Sequence, residues 1–257
     1  MSVKTEFTGR VALVTGASRG IGAATVNVLR AKGAIVVAAD IAFSSAVLQE
    51  AAANYYQIQL DVTKQQDVLR VVNEIERTLG AIDYLASVAG VLHMGELTEV
   101  TDVEWQHTFA VNCHGPFYLC QAVAHHMKGR CAGAMVAVSS NAASTPRMGM
   151  GAYCASKAAL CAMVKTLALE LAASNIRCNL VAPGSTDTPM QQQVWRDAQG
   201  ATRTISGDLE QFKVGIPLGR IASPEDIANS IIFLLSEQAR HITMTSLLVD
   251  GGATLGH

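Results

Sequence analysis

The sequence predicts an α/β fold: a single doubly wound domain with a seven-stranded parallel sheet and helices on both faces. Three observations carry that expectation. Short apolar runs alternate with longer amphipathic segments along the whole chain, and runs of this kind bounded by turn residues suit strands buried on both faces. The alternation is strand–helix–strand throughout, the rhythm that lays strands side by side in parallel through right-handed crossovers. The first run opens into a glycine-rich turn and then a helical pattern. With 257 residues, half of them hydrophobic, the chain can bury such a core without disulfides or metal staples.

The expected strands are residues 11–14, 34–39, 56–60, 82–88, 134–139, 176–182 and 246–249, the second ending at Asp40, the third at Asp61 and the last at Asp250-Gly251-Gly252. Between the third and fourth, Val68, Val71, Val72, Ile75 and Leu79 recur at helical spacing. Thr63 and Gln66 have the spacing of a capping box at the start of that helix, and Gly80 is its stop. Thr101 and Glu104 form the same pattern, while Ser223-Pro224 places a cap before a proline at the first helical position. Longer helical patterns cover 104–128 and 152–172. Residues 184–219 break the rhythm with a polar, irregular stretch, expected to be a substrate loop or lid within one domain spanning 1–257. No repeat, low-complexity tract or linker divides the chain.

Composition excludes several classes of partner. The formal charge is −2 and no run of like charges stands out, so no basic surface for nucleic acid is expected. No apolar run approaches the roughly 18 residues of a membrane span. The first ten residues, with Lys4, Glu6 and Arg10, lack the layout of a signal peptide, so the expected compartment is the cytoplasm. The six cysteines, Cys113, Cys120, Cys131, Cys154, Cys161 and Cys178, contain no Cys-x-x-Cys pair and read as packing residues. No metal site is expected. His125 and His126 read as surface or interface residues, Trp105 and Trp195 as packing residues, with Trp195 also placed to close a lid.

Thr15-Gly16-Ala17-Ser18-Arg19-Gly20-Ile21-Gly22 stands between the first strand and the first helix. Glycines there permit a tight turn and close approach of backbone to phosphate. The helix start adds free N–H groups and the positive end of its dipole. This context makes the turn a dinucleotide-binding signal rather than an ordinary connection. Asp40 closes the second strand, where a carboxylate accepts both hydroxyls of the adenosine ribose and repels a 2′-phosphate. It favours NAD over NADP; Arg19 argues the other way. Asp61 and Val62, at the end of the third strand, are expected beside the adenine edge.

Tyr153 and Lys157 are four residues apart at the start of a helical pattern and share one face. An ammonium beside a phenol favours the phenolate, which makes Tyr153 a candidate base for an alcohol whose carbon gives up hydride. Ser140, at the end of the preceding strand, is placed to hold the reacting oxygen. Asn112 falls mid-helix, where asparagine is a poor helix former and often has a separate structural task.

With these residues the chain resembles the short-chain dehydrogenase/reductases over its whole length. The glycine turn, Asp61, Asn112, Ser140, Tyr153, Lys157, Pro183-Gly184 and Asp250-Gly251-Gly252 stand where that family has them. The resemblance implies a Rossmann-like domain and a catalytic tetrad of Asn112, Ser140, Tyr153 and Lys157, with Asn112 positioning a water and Lys157 also holding the nicotinamide ribose. It implies further cofactor contacts at Ala89, Gly90, Pro183, Gly184, Thr186 and Thr188, and a homotetramer. One departure is Ser87-Val88-Ala89-Gly90, where the family reads Asn-Asn-Ala-Gly; Val88 replaces a sheet-bridging asparagine with packing.

The segments 145–153, 184–190 and 210–218, with Met94-Gly95 and 105–112, extend the resemblance to members that oxidise a cyclic dihydrodiol carboxylate to a catechol for siderophores, using NAD. Aromatisation pulls that reaction forward. Such a substrate needs a cation. Arg147 is the first candidate, since a guanidinium binds carboxylate bidentately; Arg196, Arg203 and Lys213 are its rivals. Met148 and Met190 are candidates for the ring pocket, with Ser140 and Tyr153 at the reacting hydroxyl. His93 is either a substrate contact or a satisfied, partly buried histidine. The competing readings are a 3-ketoacyl-thioester reductase, which Arg19 suits and Asp40 does not, and a non-catalytic NAD-binding regulator, which has no need of the tetrad.

Overall fold

The computed structural model describes residues 5–195 and 197–256; Lys4 and Arg196, both named above, lie outside them. The strands are β1 (Val11–Thr15), β2 (Ile35–Asp40), β3 (Gln49–Ala52), β4 (Tyr55–Gln59), β5 (Ile82–Ser87), β6 (Gly133–Val138), β7 (Ile176–Pro183) and β8 (Ser246–Val249). They form one sheet in the order β3-β4-β2-β1-β5-β6-β7-β8. The helices are α1 (Gly20–Ala31), α2 (Gln65–Thr78), α3 (Asp102–Phe109), α4 (Gly115–Arg130), α5 (Gly151–Leu171), α6 (Pro189–Gln192), α7 (Gly200–Ser206) and α8 (Pro224–Leu235).

The continuous apolar runs have the expected cause. Successive residues of a strand face opposite sides of the sheet, and both sides are covered. Leu13, Val37 and Leu85 join the buried cluster that contains residues of α2, α4 and α5. Ala12, Val14 and Val36 join the cluster that contains residues of α1 and α8. The direction of winding reverses at β1, with β2 on one side and β5 on the other. The carboxyl ends of strands at such a reversal leave a crevice for ligands.

The doubly wound α/β fold stands, with eight strands rather than seven. The extra strand, β3, pairs antiparallel with β4 at the sheet edge, while every other pairing is parallel. All four β3 residues are exposed, so no alternation of apolar and polar residues marks it. The box expected at Thr63 does not form. α2 begins after Lys64 without a side-chain cap, because Thr63 turns back and donates to Asp61 Oδ1 at 2.6 Å; short polar side chains compete for such local bonds. The boxes at Thr101–Glu104 and Ser223–Asp226 do form. The pattern over 104–128 is interrupted by a π-helical turn, Ala110–His114, that carries Asn112.

Among the described residues one helix, Gly151–Ser174, is long and apolar enough to cross a membrane by length and composition, at mean hydropathy 1.3. Lys157, Lys165 and Glu170 divide it into shorter apolar runs. In the fold it packs against β7. Of the six free cysteines, Cys120 and Cys178 are buried as expected of packing residues, and Cys131 is exposed.

At the departure from the family pattern, Val88 packs against the α1/α8-side cluster, and its N–H donates to Thr15 Oγ1 at 3.2 Å. The neighbouring Ser87 hydroxyl is buried and has no hydrogen-bond partner. Removing an unsatisfied buried hydroxyl relieves its desolvation penalty. Ser87→Ala is therefore expected to raise stability by about 1 kcal/mol, read from the urea midpoint. A loss of that size instead would show that the hydroxyl is bonded.

Candidate active site

The glycine turn runs from the end of β1 into α1. Gly16 and Gly20 sit at φ +65° and +54°, where a side chain is strained. Gly22 is helical, and its constraint is space: a Cβ there would lie 2.0 Å from the Gly16 carbonyl oxygen. Arg19 is the N-cap of α1 and gives no side-chain cap, so no side chain occupies the first N–H groups of the helix. Ser18 and Arg19 are exposed.

Asp40 ties the second strand to this turn. Its Oδ2 accepts from Ser18 N at 3.0 Å and its Oδ1 from Ala42 N at 2.9 Å. At the end of β4, Asp61 accepts from Thr63 N at 3.0 Å and lies 3.3 Å from Lys64 Nζ. Burial works to raise the Asp61 carboxyl, but the bonds from Thr63 and the pairing with Lys64 hold it below the ordinary carboxylate range. Val62 is buried where α4 begins, 2.9 Å from where a Gly115 Cβ would be.

Ser140, Tyr153 and Lys157 come together on the wall of one cavity of about 600 Å³. α5 presents the tyrosine and the lysine one turn apart, both buried. Ser140 follows β6; its Oγ accepts from Ala142 N at 3.1 Å, and its hydroxyl lies near enough to Tyr153 to favour the phenolate. Lys157 Nζ donates to the Val138 carbonyl at 2.8 Å and lies 5.7 Å from the centre of the Tyr153 ring.

Burial dominates both groups. It pushes the Tyr153 hydroxyl up to about 12, with the bond from Ser140 opposing. It pushes the Lys157 ammonium down to about 8, with Cys161 and Cys113 opposing. Spacing alone implied a lowered tyrosine. In the structure the ammonium is directed at the Val138 carbonyl, and burial outweighs the opposing bond from Ser140.

Asn112 is buried behind the wall. Its Oδ1 accepts from Val91 N at 2.9 Å, and its Nδ2 donates to Val91 O at 2.9 Å and to Ser156 Oγ at 3.1 Å. Ser156 in turn donates to the Tyr153 carbonyl at 2.8 Å. Asn112 thus clips the loop after β5 to α5. Gly90 fits between it and the lysine: a Cβ would stand 3.3 Å from Asn112 Oδ1 and 3.5 Å from Lys157 Nζ. Ser156 and the Val138 carbonyl were missed in the sequence. A small polar residue beside Lys157 in an alanine-rich helix is the only signal for the first, and a backbone acceptor leaves none.

The cavity also gathers Ile21, Gly90, Arg147, Met148, Pro183, Gly184, Thr186, Thr188 and Met190. It does not reach Gly16, Ser18, Arg19, Gly20, Gly22, Asp40, Asp61, Val62 or Ala89, which lie on the strand ends and turn outside it. Thr188 joins the two regions: it caps α6, and its methyl group stands 3.2 Å from where a Gly20 Cβ would be. Trp195, Arg203 and Lys213, from the irregular segment, are on the wall; His93 is not. His93 Nε2 pairs with Glu104 at 3.0 Å. Among the described residues no group of three His, Cys, Asp or Glu side chains is placed to hold a metal.

A family model described as enoyl-(acyl carrier protein) reductase matches residues 16–254. The chain is 45% identical over 255 residues to the 2,3-dihydro-2,3-dihydroxybenzoate dehydrogenase of Bacillus subtilis, covering 96% of this chain and 97% of the relative. It is 45% identical over 251 residues to the vibriobactin-specific enzyme of the same name from Vibrio cholerae, covering 95% and 96%. Among solved structures, the aldohexose dehydrogenase of Thermoplasma acidophilum superposes with a TM-score of 0.85 at 29% identity, covering 98% of this chain and 97% of that one. Sequence, architecture and the serine–tyrosine–lysine cavity agree, and the chain belongs to the short-chain dehydrogenase/reductase family.

Proposed function

We propose that the chain oxidises 2,3-dihydro-2,3-dihydroxybenzoate to 2,3-dihydroxybenzoate with NAD, in the cytoplasm, as a step of catechol siderophore biosynthesis. The convergence of Ser140, Tyr153 and Lys157 on one cavity wall beside the glycine turn carries this reading. The similarity to dehydrogenases of that name supplies the substrate.

The residues fit a nicotinamide dinucleotide. The turn is a backbone cradle that Cβ atoms would fill, α1 has no side-chain cap, and Asp40 stands against the turn. Gly16, Ser18, Arg19, Gly20, Ile21 and Gly22 would hold the pyrophosphate, Asp40 the adenosine ribose, and Asp61 and Val62 the adenine edge. Ala89, Gly90, Lys157, Pro183, Gly184, Thr186 and Thr188 would hold the nicotinamide half. When bound, the oxidised nicotinamide supplies the hydride acceptor.

Ser140 holds the reacting hydroxyl, and Tyr153 takes its proton. Lys157 supplies the neighbouring positive charge, and Asn112 keeps the loop and α5 in register. The resulting ring ketone tautomerises to the aromatic catechol. Arg147, Met148 and Met190 face the ring, and residues 184–219 act as the substrate loop. The subunits assemble as a homotetramer through α4 and α5, which leave Phe117 and Leu169 exposed; light scattering reads the assembly directly.

Purified protein is mixed with the dihydrodiol and either NAD or NADP, and reduced-nicotinamide absorbance is followed with catechol fluorescence. Both signals rising together with NAD support the proposal. NAD binding without turnover removes the siderophore assignment and favours a regulator. Reduction of a 3-ketoacyl thioester with NADPH favours the reductase. Asp40→Ser removes the charge that opposes a 2′-phosphate, so NAD affinity is expected to fall about 10- to 100-fold while NADP gains. Titration of both dinucleotides measures this, and an unchanged preference would separate Asp40 from cofactor choice.

A further inference from the structure

We infer that Arg147 and Trp195 together form an anion subsite that takes the substrate's carboxylate. The inference rests on the dihydrodiol reading above and deepens it. Its basis is two donors without acceptors, carried by two side chains that line one cavity.

Arg147 is half-buried, and among the described residues its guanidinium makes no hydrogen bond or ion pair. The other cations on the wall are engaged. Lys157 donates to Val138 O at 2.8 Å, Arg203 pairs with Asp197 at 2.9 Å, and Lys213 donates to Gln211 Oε1 at 2.7 Å. Asp250 is the buried acid whose charge favours the ionised Arg147, but its oxygens already serve Asn141 Nδ2, Gly252 N and Thr254 Oγ1 at 3.3, 2.9 and 2.7 Å. It helps keep the guanidinium charged without occupying it. Of the acids on the wall, Asp208 accepts from Glu210 N and Gln211 N, and Glu96 is exposed.

The Trp195 indole N–H is buried and has no acceptor, whereas buried indoles normally find one. Gly200 packs tightly on this side chain, so that a Cβ there would lie 2.4 Å from Trp195 Cγ. A carboxylate is the acceptor that both donors lack: it binds a guanidinium bidentately and keeps lone pairs for an indole N–H. Met148 and Met190 line the same wall beside the ring.

The test uses the enzyme saturated with NAD and carrying Trp105→Phe. The chain has two tryptophans, and Trp105 stacks on Phe109 outside the cavity, so the remaining emission reports Trp195 alone. 2,3-Dihydroxybenzoate and catechol are titrated in parallel. The expected result is an emission change with 2,3-dihydroxybenzoate. Arg147→Gln should weaken its binding about 10- to 100-fold and leave catechol within about twofold. Arg147→Lys should recover part of the loss. Trp195→Phe, read by competitive inhibition, should weaken 2,3-dihydroxybenzoate several-fold more than catechol. Equal binding of 2,3-dihydroxybenzoate by Arg147→Gln and the parent, or equal losses for both ligands, overturns the subsite even if the dihydrodiol is turned over. Arg147-dependent binding of 2,3-dihydroxybenzoate without turnover of the dihydrodiol upholds the subsite and removes the substrate assignment instead.

Discussion

Tyr153→Phe is expected to lower oxidation of the dihydrodiol by about 10³-fold while leaving NAD affinity near that of the parent. The substitution keeps the ring in its buried place on α5 and removes only the hydroxyl, which lies on the cavity wall with Ser140. The stability change should stay near 1 kcal/mol. A fall in kcat with little change in KM would place the lost interaction in the transition state.

The pH profile gives an independent reading. In the free enzyme, burial pushes Tyr153 up to about 12, so the hydroxyl is protonated through the neutral range. Raising the pH increases the fraction of base, and the oxidation rate should climb. Lys157, pushed down to about 8, loses its charge above that value. The cation that stabilises a developing phenolate is then withdrawn, and the climb should flatten. Tyr153→Phe should show no rising limb. A residual rate that still climbs with pH would point to another base.

What could be read from the sequence follows from what each inference needs. β1, β2 and α1 were legible because burial on both faces leaves continuous apolar runs, and because a phosphate turn leaves glycines at fixed places. β3 was not, since four exposed residues at a sheet edge are held by backbone pairing that demands no apolar side chain. The spacing at Thr63 misleads because Asp61 competes for its hydroxyl, a contest that spacing does not reveal. Asn112 stands out in a helical pattern because asparagine is a poor helix former. The reason, a π-helical turn whose asparagine reaches two other elements, is a fact of packing. Arg147 was legible as a cation in a useful loop, but whether its donors are occupied depends on neighbours distant in sequence. The tyrosine's raised value has the same origin: residue spacing shows the lysine and hides the burial.

Gly22→Ala is expected to cost about 3–5 kcal/mol of stability and most of the NAD affinity. Gly22 has a helical φ, so an added methyl group meets no backbone strain of its own. The penalty is overlap with main chain: the Cβ would lie 2.0 Å from Gly16 O, 2.6 Å from Gly16 C and 3.1 Å from Ala17 Cα. Relief requires α1 to withdraw from the turn by about 1 Å, because interiors packed to crystal density have no slack to absorb it. α1 is packed against α8 and the sheet, so the withdrawal is resisted on its other side. It also pulls the helix start away from the Ser18–Asp40 contact that shapes the cofactor cradle.

Gly20→Ala is the contrasting case. Its methyl group would meet only the Thr188 side chain, at 3.2 Å, and the left-handed φ of +54° costs about 1–2 kcal/mol. Urea unfolding should therefore rank Gly22→Ala well below Gly20→Ala, which in turn falls below the parent. If the two variants unfold at the same midpoint, close packing of helix on turn is not what selects glycine at position 22, and the conformational preference shared by Gly16 and Gly20 would be the whole reason for the motif.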